Sequence, residues 1–399
     1  MSTPGSRRLR SSFCLLLLSV IVRVHAWLRL VPLLVSLATG GLAAWLMVCD
    51  APAAFQEPDP APPFEIPRLE AALRGNAVSP YRWVELAEGY ERNGEGEKAR
   101  FSFHRAMGLA PNLPPVWIRA AAFHFRLGES EEGLRAGAHA QSISGAADAF
   151  LFQYYERYVA DAPLVTRALA GDRRSLSAWF RRLQARADSG NAALAWAEMD
   201  RRRFTDVPLA ASYVALLLDR HHYEEARQVW LKAAPPTPAG DRIYNGGFEQ
   251  DPSGCRLDWT LAPIPGVDME RDTSVAKEGS FSLCVRFQNS GNVALNRPAQ
   301  TAVVSHGRYR LSAWLKTEGV TSDQGVALCV TDAESPERLT GKTEALLGTN
   351  PWTEIHADFS VPPQTNLIKV SVCRESSRYF SRIAGTAWID AVALTPASE

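Results

Sequence analysis

An excess of charge of either sign is what this 399-residue chain lacks: 43 Lys and Arg stand against 43 Asp and Glu. A balanced chain builds no field that tracks the phosphates of DNA or RNA, so nucleic acid is not an expected partner. Cysteine is scarce, six in all, and no CxxC pair or Cys/His cluster has the spacing of a zinc site. The sequence also has no GxSxG elbow, HExxH pair, Walker A loop or dinucleotide fingerprint. The stretch from Asn93 to Lys98 contains Gly and Lys, but it falls between two helical segments and is no phosphate cradle. His221 and His222 are adjacent, so on a helix they point about 100° apart and share no metal-ligand geometry. These absences point away from an enzyme. Carboxylate pairs suited to a glycosidase exist by chance in any chain with 43 acids, which keeps a polysaccharide-modifying enzyme as a distant alternative.

What the chain does have begins with one long apolar run. Residues 30–48 hold 19 uncharged positions, the length that crosses a hydrocarbon core of ~30 Å as a helix. Arg7, Arg8, Arg10, Arg23 and Arg29 precede the run, and Asp50, Glu57 and Asp59 follow it. The positive-inside rule then keeps residues 1–29 cytoplasmic and exports the rest. The expectation is a single-pass membrane protein with its bulk periplasmic or extracellular. A cleaved signal peptide and a lipid anchor at Cys49 are the rival readings; Val48 is large for the residue before a lipidated cysteine. Residues 13–22 form a second apolar run too short to span. Residues 49–65 are Pro-rich and read as a semi-rigid spacer.

From Ser79 onward, apolar residues recur with helical spacing. Trp83, Leu86, Ala87, Tyr90, Gly94, Ala99, Phe103, Ala106 and Pro111 form a large-small-aromatic pattern. Moved on by one repeat, Trp117, Gly128 and Ala140 take the places of Trp83, Gly94 and Ala106, with Gly133 and Gly137 also at small-residue positions. The pattern resembles the tetratricopeptide repeat, a 34-residue helical pair. Residues 66–235 then hold four to five such pairs, the third beginning near Gln153. The resemblance implies a groove for a protein partner.

At Asn245-Gly-Gly-Phe-Glu249 the pattern changes to short alternating runs separated by Gly, Pro, Asn and Asp. Residues 241–399 are the length of a β-sandwich. In the run beginning at Arg308, Tyr309, Leu311, Ala313 and Leu315 share one face, while Arg308, Arg310, Ser312, Trp314 and Lys316 share the other. Ile355, Ala357, Phe359 and Val361 likewise oppose Trp352, Glu354, His356 and Asp358. Ile368, Val370 and Val372 point inward. An aromatic plate among charged side chains suits a sugar ring, which has an apolar C–H face and a polar rim. Trp314 as plate, with Arg308, Arg310, Glu354, His356 and Asp358 as hydrogen-bonding partners, is the candidate glycan site. Cover by a loop is the alternative for Trp314. Cys255, Cys284, Cys329 and Cys373 all fall in this module, where export permits disulfides; Cys255 with Cys284 and Cys329 with Cys373 is the preferred pairing.

The motifs Asn245-Gly-Gly-Phe-Glu249, Asp258-Trp259 and Trp388-Ile-Asp390 resemble those of the galactose-binding-like β-jelly roll of bacterial carbohydrate-binding modules. That resemblance implies a structural Ca²⁺ held by Glu249 and Asp390, with carbonyls near Lys277 to Gly279 contributing. The alternative for the two acids is that they tie the terminal strands together by hydrogen bonds. The expected architecture is thus multidomain α + β: a transmembrane helix, an α-solenoid of tetratricopeptide-like repeats, and an antiparallel β-sandwich. The expected function is a non-enzymatic, membrane-anchored binding or scaffold protein in envelope or exopolysaccharide assembly. A purely structural scaffold without sugar binding is the main alternative.

Overall fold

The computed structural model describes residues 66–397 apart from Ala239 and Ser290. The expected membrane helix, basic N-terminus and Pro-rich spacer lie outside the described residues. Among those that are described, no helix is long and apolar enough to cross a membrane. The described residues divide into two compact units, one ending at Ala160 and the other beginning at Asp161.

In the first unit, α1 (Ile66–Gly75) precedes two helical pairs, α2 (Pro80–Arg92) with α3 (Gly96–Leu109) and α4 (Pro114–Arg126) with α5 (Ser130–Ile143). Pro80 and Pro114 stand at the first helical position, where a missing N–H costs nothing. The starts of α2 and α4, and of α3 and α5, are each 34 residues apart (80 to 114, 96 to 130). The small residues of the pattern make room for rings. A Cβ on Gly133 would lie 2.6 Å from the Phe125 ring, and one on Gly137 would lie 2.5 Å from the Tyr155 hydroxyl. Phe103 and Phe123 meet between the pairs with ring centres 4.8 Å apart and planes tilted by 34°. The third pair expected near Gln153 does not form in that register. Instead α6 (Asp148–Tyr154) runs into a π turn at Tyr155–Val159, which ends on a left-handed Ala160.

The second unit opens with α7 (Ala162–Leu169), α8 (Arg173–Ala185), α9 (Ser189–Arg201), α10 (Val207–Asp219) and α11 (Tyr223–Ala233). Asp161, Asp172, Asp188 and Asp206 cap four of them by accepting from the N–H groups of Leu164, Ser175, Asn191 and Leu209. The 34-residue step returns here, from Arg173 to Val207 and from Ser189 to Tyr223. Trp230 of α11 meets Tyr244 at 5.3 Å, Asp219 pairs with Arg256, and Tyr223 donates to Glu334. The last helical pair is therefore fastened to the β module.

That module is an antiparallel sandwich. Five strands run in the order β1-β2-β9-β4-β7 and four in the order β3-β8-β5-β6. Their ranges are β1 Val267–Asp272, β2 Ser282–Gln288, β3 Ala299–Val303, β4 Gly307–Val320, β5 Ala327–Asp332, β6 Thr340–Lys342, β7 Gly348–Val361, β8 Leu367–Cys373 and β9 Ala384–Pro396. The inward sets of β4 and β8, with Ile355 and Val361 of β7, build one core with Phe248, Trp259, Val285 and Ile389, while Phe359 packs half-buried against it and Ala357 is half-buried outside it. Burial of that apolar area, at roughly 25 cal/mol per Å², is the main term holding the two sheets together.

Cys329 and Cys373 are bonded across β5 and β8. Cys255 and Cys284 are not, which corrects the second expected pair. Strand parity could not say which sheet each residue served. Cys284 faces outward from the five-stranded sheet, in register with Trp388 and Glu270. Cys255 sits in a loop whose Arg256 carbonyl accepts from Thr301 on the edge of the other sheet. Burial pushes both thiols up, to about 12 for Cys255 and about 11 for Cys284.

Candidate functional site

The expected site residues lie together on the outer face of β4 and β7. The register sets Trp314 opposite Glu354, Ser312 opposite His356, Arg310 opposite Asp358 and Arg308 opposite Ser360. Antiparallel pairing of two strands with the same parity produces this patch. Not all of it is free. Arg310 forks onto Asp358 with bonds of 2.7 and 2.8 Å, and holds that carboxyl below the usual carboxylate range. The backbone N–H of His356 donates to Glu344, whose carboxyl is lowered in turn. Arg308 and Glu354 are exposed.

Trp314 is half-buried, and the Lys277 ammonium lies 3.9 Å from its ring centre. A cation over the ring satisfies its quadrupole and occupies the face that a sugar would use. The cover arises from the loop between β1 and β2, residues 273–281, and from the two acids that hold this loop. Glu249 Oε1 accepts from the N–H groups of Ser280 (2.9 Å) and Phe281 (3.0 Å). Asp390 Oδ2 accepts from Lys277 (2.8 Å) and Glu278 (3.0 Å), and Oδ1 from Ala391 (2.7 Å). Gly279 permits the approach: it is left-handed at φ 62°, and a Cβ there would lie 2.2 Å from Glu249 Oε1. Burial raises the Asp390 carboxyl despite its three donors.

This geometry answers the question of calcium. Three of the four carboxylate oxygens already accept N–H hydrogens, and the loop presents donors to them where carbonyls were expected. A cation would have to displace those hydrogens, so the residues present do not fit Ca²⁺. Among the described residues, no group of three or more His, Cys, Asp or Glu side chains is placed to hold a metal. EDTA is accordingly expected to leave the melting temperature of the full chain unchanged. A fall that added Ca²⁺ reverses would restore the metal reading.

Two residues named in the sequence analysis for other reasons also belong to this face. Trp388 is buried beside it, donating Nε1–H to Asp272 at 2.8 Å, with Lys316 5.2 Å from its ring. Lys277 lies in a stretch without periodicity, and only the bonds to distant Glu249 and Asp390 place it.

No protein-family model matches the sequence, and no curated protein matches it. Solved structures do. TmCBM61, described in complex with beta-1,4-galactotriose, is 19% identical with a TM-score of 0.28, over 39% of this chain and 99% of that one. The CBM22-1 xylan-binding domain of Paenibacillus barcinonensis Xyn10C is 16% identical with a TM-score of 0.27, over 35% and 86%. A CBM4 structure is 13% identical with a TM-score of 0.29, over 39% and 99%.

Proposed function

We propose that this chain is a non-enzymatic binding protein whose sandwich takes up a glycan on the outer face of β4 and β7. The observation that carries the reading is the kind of cover over Trp314. An apolar plug would seal the ring, but a lysine on an exposed loop can swing into water and leave it bare. Glu354, opposite Trp314 across the strand pair, then offers a hydrogen-bonding partner beside the ring, and Arg308 extends the polar face six residues along β4. We read the helical repeats as the protein-binding part. A groove of about 630 Å³ in the first unit, lined by Leu73, Trp83, Tyr90 and the exposed Phe101, supports this. We also read residues 30–48 as a membrane anchor with the folded bulk exported. The bond between Cys329 and Cys373 fits an oxidising compartment, and envelope or exopolysaccharide assembly is the setting such a domain pair suits.

The test is retention of the full chain on immobilised polysaccharides. Trp314→Ala is expected to weaken retention about tenfold, the loss of one stacked aromatic. Lys277→Ala, which bares the ring, is expected to retain the glycan at least as well as the parent. The pairing of Arg310 with Asp358 and the lysine cover favour a second reading, a structural scaffold that binds no sugar. A parent chain that is not retained decides for that reading, and retention unchanged in Trp314→Ala removes the outer face of β4 and β7 as the site.

A further inference from the structure

The loop between β8 and β9 carries the most exposed large aromatics of the sandwich. Tyr379 is 86% and Phe380 49% exposed, and exposed Arg378 and Arg382 flank them. Such side chains are entropically expensive to order, yet this loop is built to hold them out. Ser377 Oγ accepts the N–H groups of Tyr379 (3.0 Å) and Phe380 (2.9 Å). Ser377 is itself clamped by Asn292, whose Oδ1 accepts the Ser377 N–H at 2.9 Å and whose Nδ2 donates to the Ser377 carbonyl at 2.6 Å.

Beneath it, Arg374 is 2% exposed. It donates Nε–H to the Gln324 carbonyl at 3.1 Å, Nη2–H to Ser322 Oγ at 2.9 Å, and Nη1–H to the Val293 carbonyl. At the far end Ile383 is buried and its N–H reaches the Gly291 carbonyl at 3.1 Å. A buried guanidinium spent on neutral oxygens joins three loops into one base, so the tip is pre-organised before any ligand arrives. Among the described residues, Arg378 and Arg382 make no ion pair. Of the acids in the adjoining loops, Glu375 pairs with Lys342, while Asp323 accepts from Ser322 and is held below the usual carboxylate range chiefly by a hydrogen bond from Ser377 at the base of the tip.

We propose that the Arg378–Arg382 tip is a second binding site, distinct from the outer face of β4 and β7, and that it takes a carboxylate-bearing glycan. The two aromatic rings offer faces for sugar C–H groups. The two unpaired guanidiniums offer forks for the uronate carboxylates on successive residues. This assignment rests on the sandwich being a glycan binder, and it adds the charge of the ligand.

The test titrates the detergent-solubilised full chain with polygalacturonate and with the same polymer methyl-esterified, which removes charge and keeps the backbone. The parent is expected to bind the acidic form, to bind the ester at least about tenfold more weakly, and to lose affinity as salt rises. Arg378→Ala with Arg382→Ala, and separately Tyr379→Ala with Phe380→Ala, are each expected to lose about tenfold or more for the acidic form. All four side chains lie outside the core, so the variants are expected to keep the parent melting temperature. Equal binding of both polymers, or unchanged affinity in the arginine variant, overturns the proposal. If Trp314→Ala loses neutral polysaccharides while the tip variants bind everything as the parent does, the tip assignment fails and the wider glycan reading stands. If neither polymer binds but phosphatidylglycerol vesicles do so through Tyr379 and Phe380, the tip is a lipid contact and the glycan assignment falls.

Discussion

Gly246→Ala is expected to destabilise the sandwich by at least about 3 kcal/mol, while Gly247→Ala beside it changes stability by less than about 1 kcal/mol. A Cβ on Gly246 would lie 1.9 Å from the carbonyl oxygen of Val392 and 2.9 Å from its carbon, and these are backbone atoms. The same two residues are tied by the Val392 N–H donating to the Gly246 carbonyl at 2.9 Å. Relief therefore has to come from shifting β9, which is paired on both sides by β2 and β4. It also carries buried Ile389, Val392 and Leu394 in the core. At Gly247 the first atom met is Asp390 Oδ1 at 3.6 Å, an ordinary contact. Thermal unfolding of the two variants reads the difference, roughly 2–4 °C per kcal/mol for a domain of this size. Equal losses in both would mean that the close approach of the two backbones is not what fixes this position.

That pair of neighbouring glycines shows what the sequence could and could not say. Asn245-Gly-Gly-Phe-Glu249 was visible as the point where helices give way to strands, and the structure supplies a job for each of its members except Gly247. Asn245 closes its own turn through Gln250, Phe248 packs on Trp259 at 5.1 Å, and Glu249 holds the β1–β2 loop. Nothing in the sequence tells which glycine is pressed against β9, because the contact joins residues nearly a whole domain apart.

The parity of β4 and β7 was legible for the opposite reason. Side-chain alternation is local, and every inward residue of β4 read from the sequence is buried. The cover over Trp314 was not legible, since Lys277 is put there by non-local backbone bonds. The helical region divides in the same way. The first two pairs announce themselves through Gly94 and Gly128 at their turns. The later step from α8 and α9 to α10 and α11 is hidden, because Ala187 and His221 hold the left-handed turn positions that glycine marks earlier.

Removing the Cys329–Cys373 bond is the other large effect expected. The bridge closes 44 residues of chain, and restraint of an unfolded loop of that length is worth about 4 kcal/mol. It joins β5 to β8, the two inner strands of the four-stranded sheet, so its loss frees the side of the sandwich where β6 is only three residues long. Dithiothreitol, or Cys329→Ala with Cys373→Ala, is expected to lower the melting temperature of the full chain by about 10 °C. Buried Cys255 and Cys284, with their thiols raised by burial, are expected to resist alkylation until the chain unfolds. A non-reduced digest of protein alkylated in intact cells separates the structural question from the cellular one. A cross-linked peptide containing Cys329 and Cys373 places the sandwich on the oxidising side of the membrane. If both cysteines are instead recovered alkylated, from cells whose secreted proteins keep their disulfides, the folded bulk has not been exported. In that case residues 30–48 do not carry it across.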